Sequence, residues 1–213
     1  MNEKRRAAVW VKSEPFGVEF AEIEVGPDHL RAAGVSLSGA PVPYRLDYEL
    51  ETVTGFVTSR LRVISRGEGW RRDLDLRRNA DAGWSIAAAQ EGQLDLPPPG
   101  GDTAPLACAL DSDLGLSPVT NMLPILRCGL LDGGGPIEFT MAWVAVPALA
   151  VQADGQRYRH LRSADDHHVV RYEATDGSFA ADITVDADGV VIDYPGVARR
   201  LNASVGHGLE FRR

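Results

Sequence analysis

The stretch Tyr44–Ser65, YRLDYELETVTGFVTSRLRVIS, decides the fold. Tyr44, Leu46, Tyr48 and Leu50 alternate with Arg45, Asp47, Glu49 and Glu51. That period of two marks a strand with one buried face and one wet face. Past Gly55 the pattern resumes, with Val57, Leu61 and Val63 set against Thr58, Arg60 and Arg62. Two alternating runs joined by a short glycine-bearing connection predict a β-hairpin.

The same signal spreads outward in both directions. Downstream, Trp70–Arg78 and Trp84–Ala89 alternate on either side of a turn at Asn79–Gly83. Upstream, Val9–Lys12 carries Trp10, and Ala32–Leu37 is a weaker strand. Phe16, Val18 and Phe20 alternate with Gly17, Glu19 and Ala21, so those three apolar residues are expected on the buried face. After Glu22 the apolar phase flips to Ile23 and Val25, which predicts a bulge or the end of the strand. Beyond the middle of the chain come Ile137–Ala145, Leu149–Gln152, Gln156–Leu161, His168–Ala174, Phe179–Asp186 and Val190–Tyr194. Turns are expected at Asp154-Gly155, Ser163–Asp166, Asp176-Gly177 and Asp186–Gly189. Ten to twelve short strands at regular spacing predict a mainly β fold: a curled antiparallel sheet in a roll, barrel or sandwich. The run Leu96–Gly101 is read as a long surface loop within a single β domain spanning 1–196, followed by a tail, 197–213.

One segment breaks the pattern. Ala109–Leu130, ALDSDLGLSPVTNMLPILRCGL, mixes Asp111, Asp113, Ser117, Thr120, Asn121 and Arg127 with leucine, valine, methionine and isoleucine. Ser117-Pro118 is a helix-start signal, and Pro124 limits the length of any helix begun there; the helical segment is expected over Ser117–Leu130. Asp111 and Asp113 stand at alternate positions and so point the same way on a strand. A buried charge needs a partner, and Arg127, Arg157 and Arg171 are the candidates. Such a mixture of polar and apolar groups either ties backbone ends together or lines a pocket. The tyrosines Tyr44, Tyr48, Tyr158, Tyr172 and Tyr194 and the tryptophans Trp10, Trp84 and Trp143 suit the wall of an amphipathic site as well as a core edge.

Composition narrows the function. The 213 residues are 44% apolar with a net charge of −8, a pI near 5.1 and a mean hydropathy of −0.15. Nucleic-acid binding needs clustered cations, and an acidic chain offers none. An anionic membrane surface is disfavoured for the same reason. No apolar run of spanning length or secretory signal is visible, so the expected compartment is the cytoplasm. Asn202-Ala203-Ser204 matches the glycosylation triplet but carries little weight without such a signal. Cys108 and Cys128 are read as buried free thiols. The histidines His29, His160, His167, His168 and His207 have no ligand spacing, so no metal or cofactor is expected. Ser117 is not in a G-x-S-x-G elbow, and Gly133–Pro136 lacks the Lys-Ser/Thr of a phosphate loop.

The motif D-x-D-L-G-x-S-P-x-T-N-x-L-P-I, Asp111 to Ile125, resembles the signature of a bacterial family of uncharacterised proteins provisionally labelled glycolipid-binding. The resemblance extends over most of the chain. It takes in Trp10 with Glu19, Tyr44-Arg45-Leu46-Asp47-Tyr48, Thr58-Ser59-Arg60, Gln156-Arg157-Tyr158, Arg171-Tyr172, Phe179, Asp186, Gly189 and Tyr194-Pro195. Two positions depart from the family pattern: Leu126 stands where a second arginine is common, and Phe56 where a tryptophan is usual. The resemblance implies a spiral β roll around a hydrophobic tunnel, similar to lipoprotein carriers, and a role in binding a glycolipid. The resulting expectation is non-catalytic binding of an amphipathic molecule, with Asp111, Asp113, Thr120, Asn121, Arg127, Tyr158 and Arg171 around its polar part. A hydrolase acting on a lipid or sugar ester through Asp111 and Asp113 is the alternative. A third reading makes the central segment architectural, with function at a surface. Oligomeric state and ligand identity stay open.

Overall fold

A computed structural model describes residues 3–79 and 83–201. The middle of the expected Asn79–Gly83 turn, the glycosylation triplet, His207 and the end of the expected tail lie outside the described residues. The described residues form fourteen strands in one sheet. They are β1 (Lys4–Lys12), β2 (Gly17–Val25), β3 (Leu30–Ser38), β4 (Tyr44–Val53), β5 (Val57–Gly67), β6 (Trp70–Arg78), β7 (Trp84–Gly92), β8 (Asp111–Leu114), β9 (Ile137–Val144), β10 (Val151–Ser163), β11 (His167–Ala174), β12 (Ala180–Asp186), β13 (Val191–Tyr194) and β14 (Ala198–Arg200). The order across the sheet is β7-β6-β5-β4-β3-β2-β1-β14-β13-β12-β11-β10-β9-β8. Two meanders are thus joined where the first strand meets the last. Three residues read from sequence as tail, Ala198–Arg200, form that seam with Lys12, Val11 and Trp10.

The sheet curls but does not close, because β7 and β8 remain its two edges. Curling brings β8 against β5. The Thr58 N–H donates to the Leu110 carbonyl at 3.0 Å, and the Ser112 N–H to Thr58 Oγ1 at 2.9 Å. The Trp84 indole N–H donates to the Ala109 carbonyl at 3.0 Å, tying β7 to the same segment. All neighbouring strands are antiparallel except β8 and β9.

The Tyr44–Ser65 reading holds at Tyr44, Leu46, Tyr48, Leu50, Leu61 and Val63, all buried, but a register shift after Glu51 exchanges the Val57 and Thr58 faces, so Thr58 is buried and Val57 only half-buried. Gly34 stands opposite Tyr48 in the β3–β4 ladder. A Cβ there would come within 2.6 Å of the tyrosine ring, so the ring can cross β3 only over a glycine. Three local expectations fail. First, β2 pairs with β1 and β3 without a register shift from Gly17 to Val25. Its inward residues are Glu19, Ala21, Ile23 and Val25, while Phe16, Val18 and Phe20 face outward, Phe16 being 72% exposed. Second, no turn occurs at Asp154-Gly155: β10 runs through it, and Gly155 is needed because a Cβ would meet Thr175 Oγ1 at 2.1 Å. Third, helix α1 spans only Met122–Arg127. Cys108 is exposed and Cys128 half-buried, so neither is the buried thiol expected; both are free.

Helix α1 lies between two apolar clusters. Val119, Met122 and Leu123 pack with Trp10, Leu46, Leu61 and Leu74. Ile125 and Leu130 pack with Tyr158, Val170, Ile183 and Val191. Most of this central segment is buried, and it fills the inside of the curl. The Leu96–Gly101 loop is pinned from β6, where buried Arg72 donates to the carbonyls of Pro97 at 2.6 Å, Ala148 at 2.7 Å and Leu96 at 3.1 Å.

Candidate functional site: a cavity above the Asp113 carboxylate

Alternate positions on β8 place both aspartates on one face, and each meets a different environment. Asp111 is fully buried. The Arg127 guanidinium grips it in a fork, with Nη2 to Oδ2 at 2.6 Å and Nε to Oδ2 and Oδ1 at 3.0 and 3.1 Å. The same guanidinium sits 5.2 Å from the centre of the Phe139 ring, a cation–π contact. Burial pushes the Asp111 carboxyl up, and Arg127 pulls against that shift.

Among the described residues no cation pairs with Asp113. Its Oδ1 accepts from Thr120 Oγ1 at 2.7 Å, and its Oδ2 from Gln156 Nε2 at 2.8 Å. Gln156 Nε2 also donates to Asp154 Oδ2 at 2.9 Å, while the buried Gln156 Oε1 has no hydrogen-bond partner. Burial raises the Asp113 pKa, the two donors lower it, and the Asp154 and Asp111 charges raise it further; the net direction is up. Asn121 Nδ2 donates to the Tyr158 hydroxyl at 2.8 Å. Tyr158 stacks on Phe139 at 5.5 Å and meets the edge of Tyr172 at 5.3 Å.

Above these groups lies a cavity of about 460 Å³. Asp113, Ser117 and Asn121 are its polar lining. Trp143, Tyr172, Phe179 and Tyr194 form its aromatic walls, and Leu116, Val146 and Val197 its aliphatic part. Exposed Glu14, on the turn between β1 and β2, also lines it. Burial pushes the Tyr172 and Tyr194 hydroxyls well above their ordinary value, and the Asp113 and Asp154 charges add to the shift in both. Leu116, at φ 63°, turns the chain in the left-handed region just before Ser117. A larger hollow of about 660 Å³ lies on the outer face of β1–β4 among charged side chains such as Arg5, Glu24, Arg31 and Glu51. Arg5 and Glu24 pair there at 3.2 Å. That hollow lacks a buried polar floor, so the Asp113 cavity is the better candidate.

Ser117 also reaches away from the cavity. Its hydroxyl donates to Glu19 Oε1 at 2.6 Å, which also accepts from the Tyr48 hydroxyl at 2.9 Å. Lys12 Nζ lies 2.8 Å from Glu19 Oε2 and donates to Ser36 Oγ at 2.8 Å. Lys12 and Glu19 are almost fully buried. Ser117 therefore caps no helix; it fastens the central segment to β1–β4.

Of the residues singled out from sequence, Asp113 and Asn121 line the cavity, Thr120 and Tyr158 hydrogen-bond them from behind, and Asp111 and Arg127 pair deeper in the segment. Arg171 does not join them: it pairs with Asp182 at 3.0 Å and Glu173 at 3.5 Å. Arg157 pairs with Glu138 and Glu173. Sequence reasoning missed Lys12 and Ser36 and gave no role to Glu19 or Gln156. The phase flip in β2 was the available signal, since it places Glu19 on the same face as Ile23. Among the described residues no cluster of three or more side chains could hold a metal ion, and no helix is long and apolar enough to cross a membrane.

Residues 7–200 match the family described as "putative glycolipid-binding". The chain belongs to that family. A crystal structure of a DUF1089 family protein from Pseudomonas aeruginosa is similar over 86% of this chain and 92% of that one, with 27% sequence identity and a TM-score of 0.65. No curated protein matches the chain. The family match covers every strand from β2 to β14 and all of the cavity lining named above.

Proposed function

We propose that the protein is a non-catalytic binder of an amphipathic molecule. The hydroxylated head group sits over Asp113, Ser117 and Asn121, and the first part of the apolar chain runs along the Trp143, Tyr172, Phe179 and Tyr194 walls. The observation that carries this reading is the composition of the cavity: a few convergent polar side chains at the floor of an otherwise aromatic and aliphatic hollow. That is the usual make-up of a small-molecule site, and about 460 Å³ lies within the range of roughly 300–1,000 Å³ for such sites. Family membership supports a lipid-like ligand. Polar groups fix orientation while aromatic faces take up apolar area and sugar rings.

The volume suits one chain segment plus a head group, so the cavity is read as a half-open pocket rather than a long tunnel. The alternative of a hydrolase using Asp111 with Asp113 draws less support. An acid–base pair needs two groups able to reach substrate, and Asp111 is held by Arg127 away from the cavity lining. The test is native mass spectrometry of protein isolated from a lipid-rich host, alongside titration with decyl maltoside followed by Trp143 fluorescence. Retained lipid, and a saturable signal lost in Trp143→Phe, are expected. Absence of both would end the reading.

A further inference from the structure

The cavity presents two carboxylates, Glu14 and Asp113, and no lysine, arginine or histidine among its lining residues. The nearby cations are all committed elsewhere. Lys12 is buried against Glu19 and Arg127 pairs with buried Asp111, while Arg157 pairs with Glu138 and Glu173 and Arg171 with Asp182 on the exposed side of the sheet. Lys12 and Arg127 cannot turn toward a ligand without stranding a buried carboxylate. Asp154 and Asp176 add to the negative potential, since both raise the Tyr172 hydroxyl together with Asp113.

Resting on the amphiphile-binding reading above, we infer that this cavity selects its ligand by charge: it takes an uncharged, hydroxyl-bearing head group and rejects phosphate, sulfate and carboxylate head groups, with Asp113 as the specificity-determining residue. The mechanism is discrimination by a built-in repulsive element. Thr120 and Gln156 both point donors at Asp113, the arrangement that suits an ionised carboxylate. A ligand hydroxyl can donate to the remaining lone pairs of Asp113 and accept from the second N–H of the Asn121 amide, the first being given to Tyr158. An anionic head group finds no cation, so it meets the Asp113 charge directly or must draw a proton onto it. Both routes cost affinity in a low-dielectric pocket.

The test uses the full chain and three amphiphiles with the same ten-carbon chain: decyl β-maltoside, decyl phosphate and decanoate. Affinities are measured by calorimetry below micellar concentrations at neutral pH. Expected is maltoside binding about tenfold tighter than either anion. In Asp113→Asn, and further in the double variant with Glu14→Gln, the anions gain and the ratio narrows to within about threefold. Glu14→Gln alone, an exposed change that leaves the fold intact, narrows it partly. Anions binding the native protein as tightly as the maltoside would overturn the charge rule and leave amphiphile binding standing. An unchanged ratio in both variants would overturn the role of Asp113. If none of the three binds, the amphiphile reading itself falls.

Discussion

Glu19 and Asp113 are both buried carboxylates that touch the central segment, and they are built oppositely. Glu19 is closed: one oxygen faces the Lys12 ammonium and the other receives Ser117 and Tyr48. Asp113 is open: it has two neutral donors, no cation and a cavity in front. The first arrangement serves to hold four strands and the central segment in one register. The second leaves hydrogen-bonding capacity unspent beside empty space. Asp111 lies between them in character, fully buried but bound to an arginine that is 17% exposed. The comparison teaches that a buried charge marks a candidate site by what it lacks, and a fully partnered one marks a fastening.

The largest effect expected is from Glu19→Gln. It leaves Lys12 buried without a counter-charge, which costs about 4 kcal/mol and lowers Tm by about 12 °C in thermal unfolding. A loss under about 1 kcal/mol would show that the network holds nothing together. Asp111→Asn comes next, at about 2–3 kcal/mol, because Arg127 can reach some solvent once released. Asp113→Asn is expected to change stability at neutral pH by less than about 1 kcal/mol. The new Asn Oδ1 can keep the Gln156 donor, while its amide N–H faces Thr120 Oγ1, whose own proton can turn to the Ser117 carbonyl, so little is left unpaired.

The pH dependence sharpens the same contrast. The folded-state pKa of Asp113 is raised above its unfolded value. The folded protein therefore binds more protons at this site in the window between the two values. Stability from this site is fully present below the unfolded pKa, near 3.9, and falls as pH rises toward the raised folded value. The Tm difference between the native chain and Asp113→Asn should shift against the native chain as pH increases through that window. A flat difference would mean that Asp113 is no more strained as an anion than a surface aspartate. The smallest effect is assigned to Phe16→Ser, which removes an outward-facing ring and should alter Tm by no more than about 2 °C.

Much of the fold was legible because alternation is a direct image of a sheet's two faces. The hairpin of β4 and β5 follows it from Tyr44 to Leu50 and from Leu61 to Val63, while the register shift after Glu51 turns Thr58 inward, and in β6 it fails at buried Arg72. The places where it failed have physical causes. In β2 the outward face is apolar and the inward face carries Glu19, so the pattern read correctly as a strand but with its faces exchanged. In β10 the Asp154-Gly155 pair mimics a turn, yet the glycine is there to let Thr175 approach. In the central segment the Ser-Pro signal was read as a cap, while the serine hydroxyl is spent on Glu19. The site was half legible: Asp113, Thr120, Asn121 and Tyr158 share one motif-bearing region or an aromatic strand. The commitment of Arg171 to the outer face, and of Lys12 to the inner one, depends on strand phase that no local pattern reports.

The seam between β1 and β14 has a consequence for synthesis. Strand β1 pairs on one side with β2, which follows it at once, but its other neighbour is encoded some 190 positions later. Throughout translation the first meander must wait with one flank unmatched and Trp10 short of its acceptor on Val191. Nascent chains stalled before residue 198 should therefore be the species that chaperones hold, and emergence of β14 the event that lets the two meanders lock together.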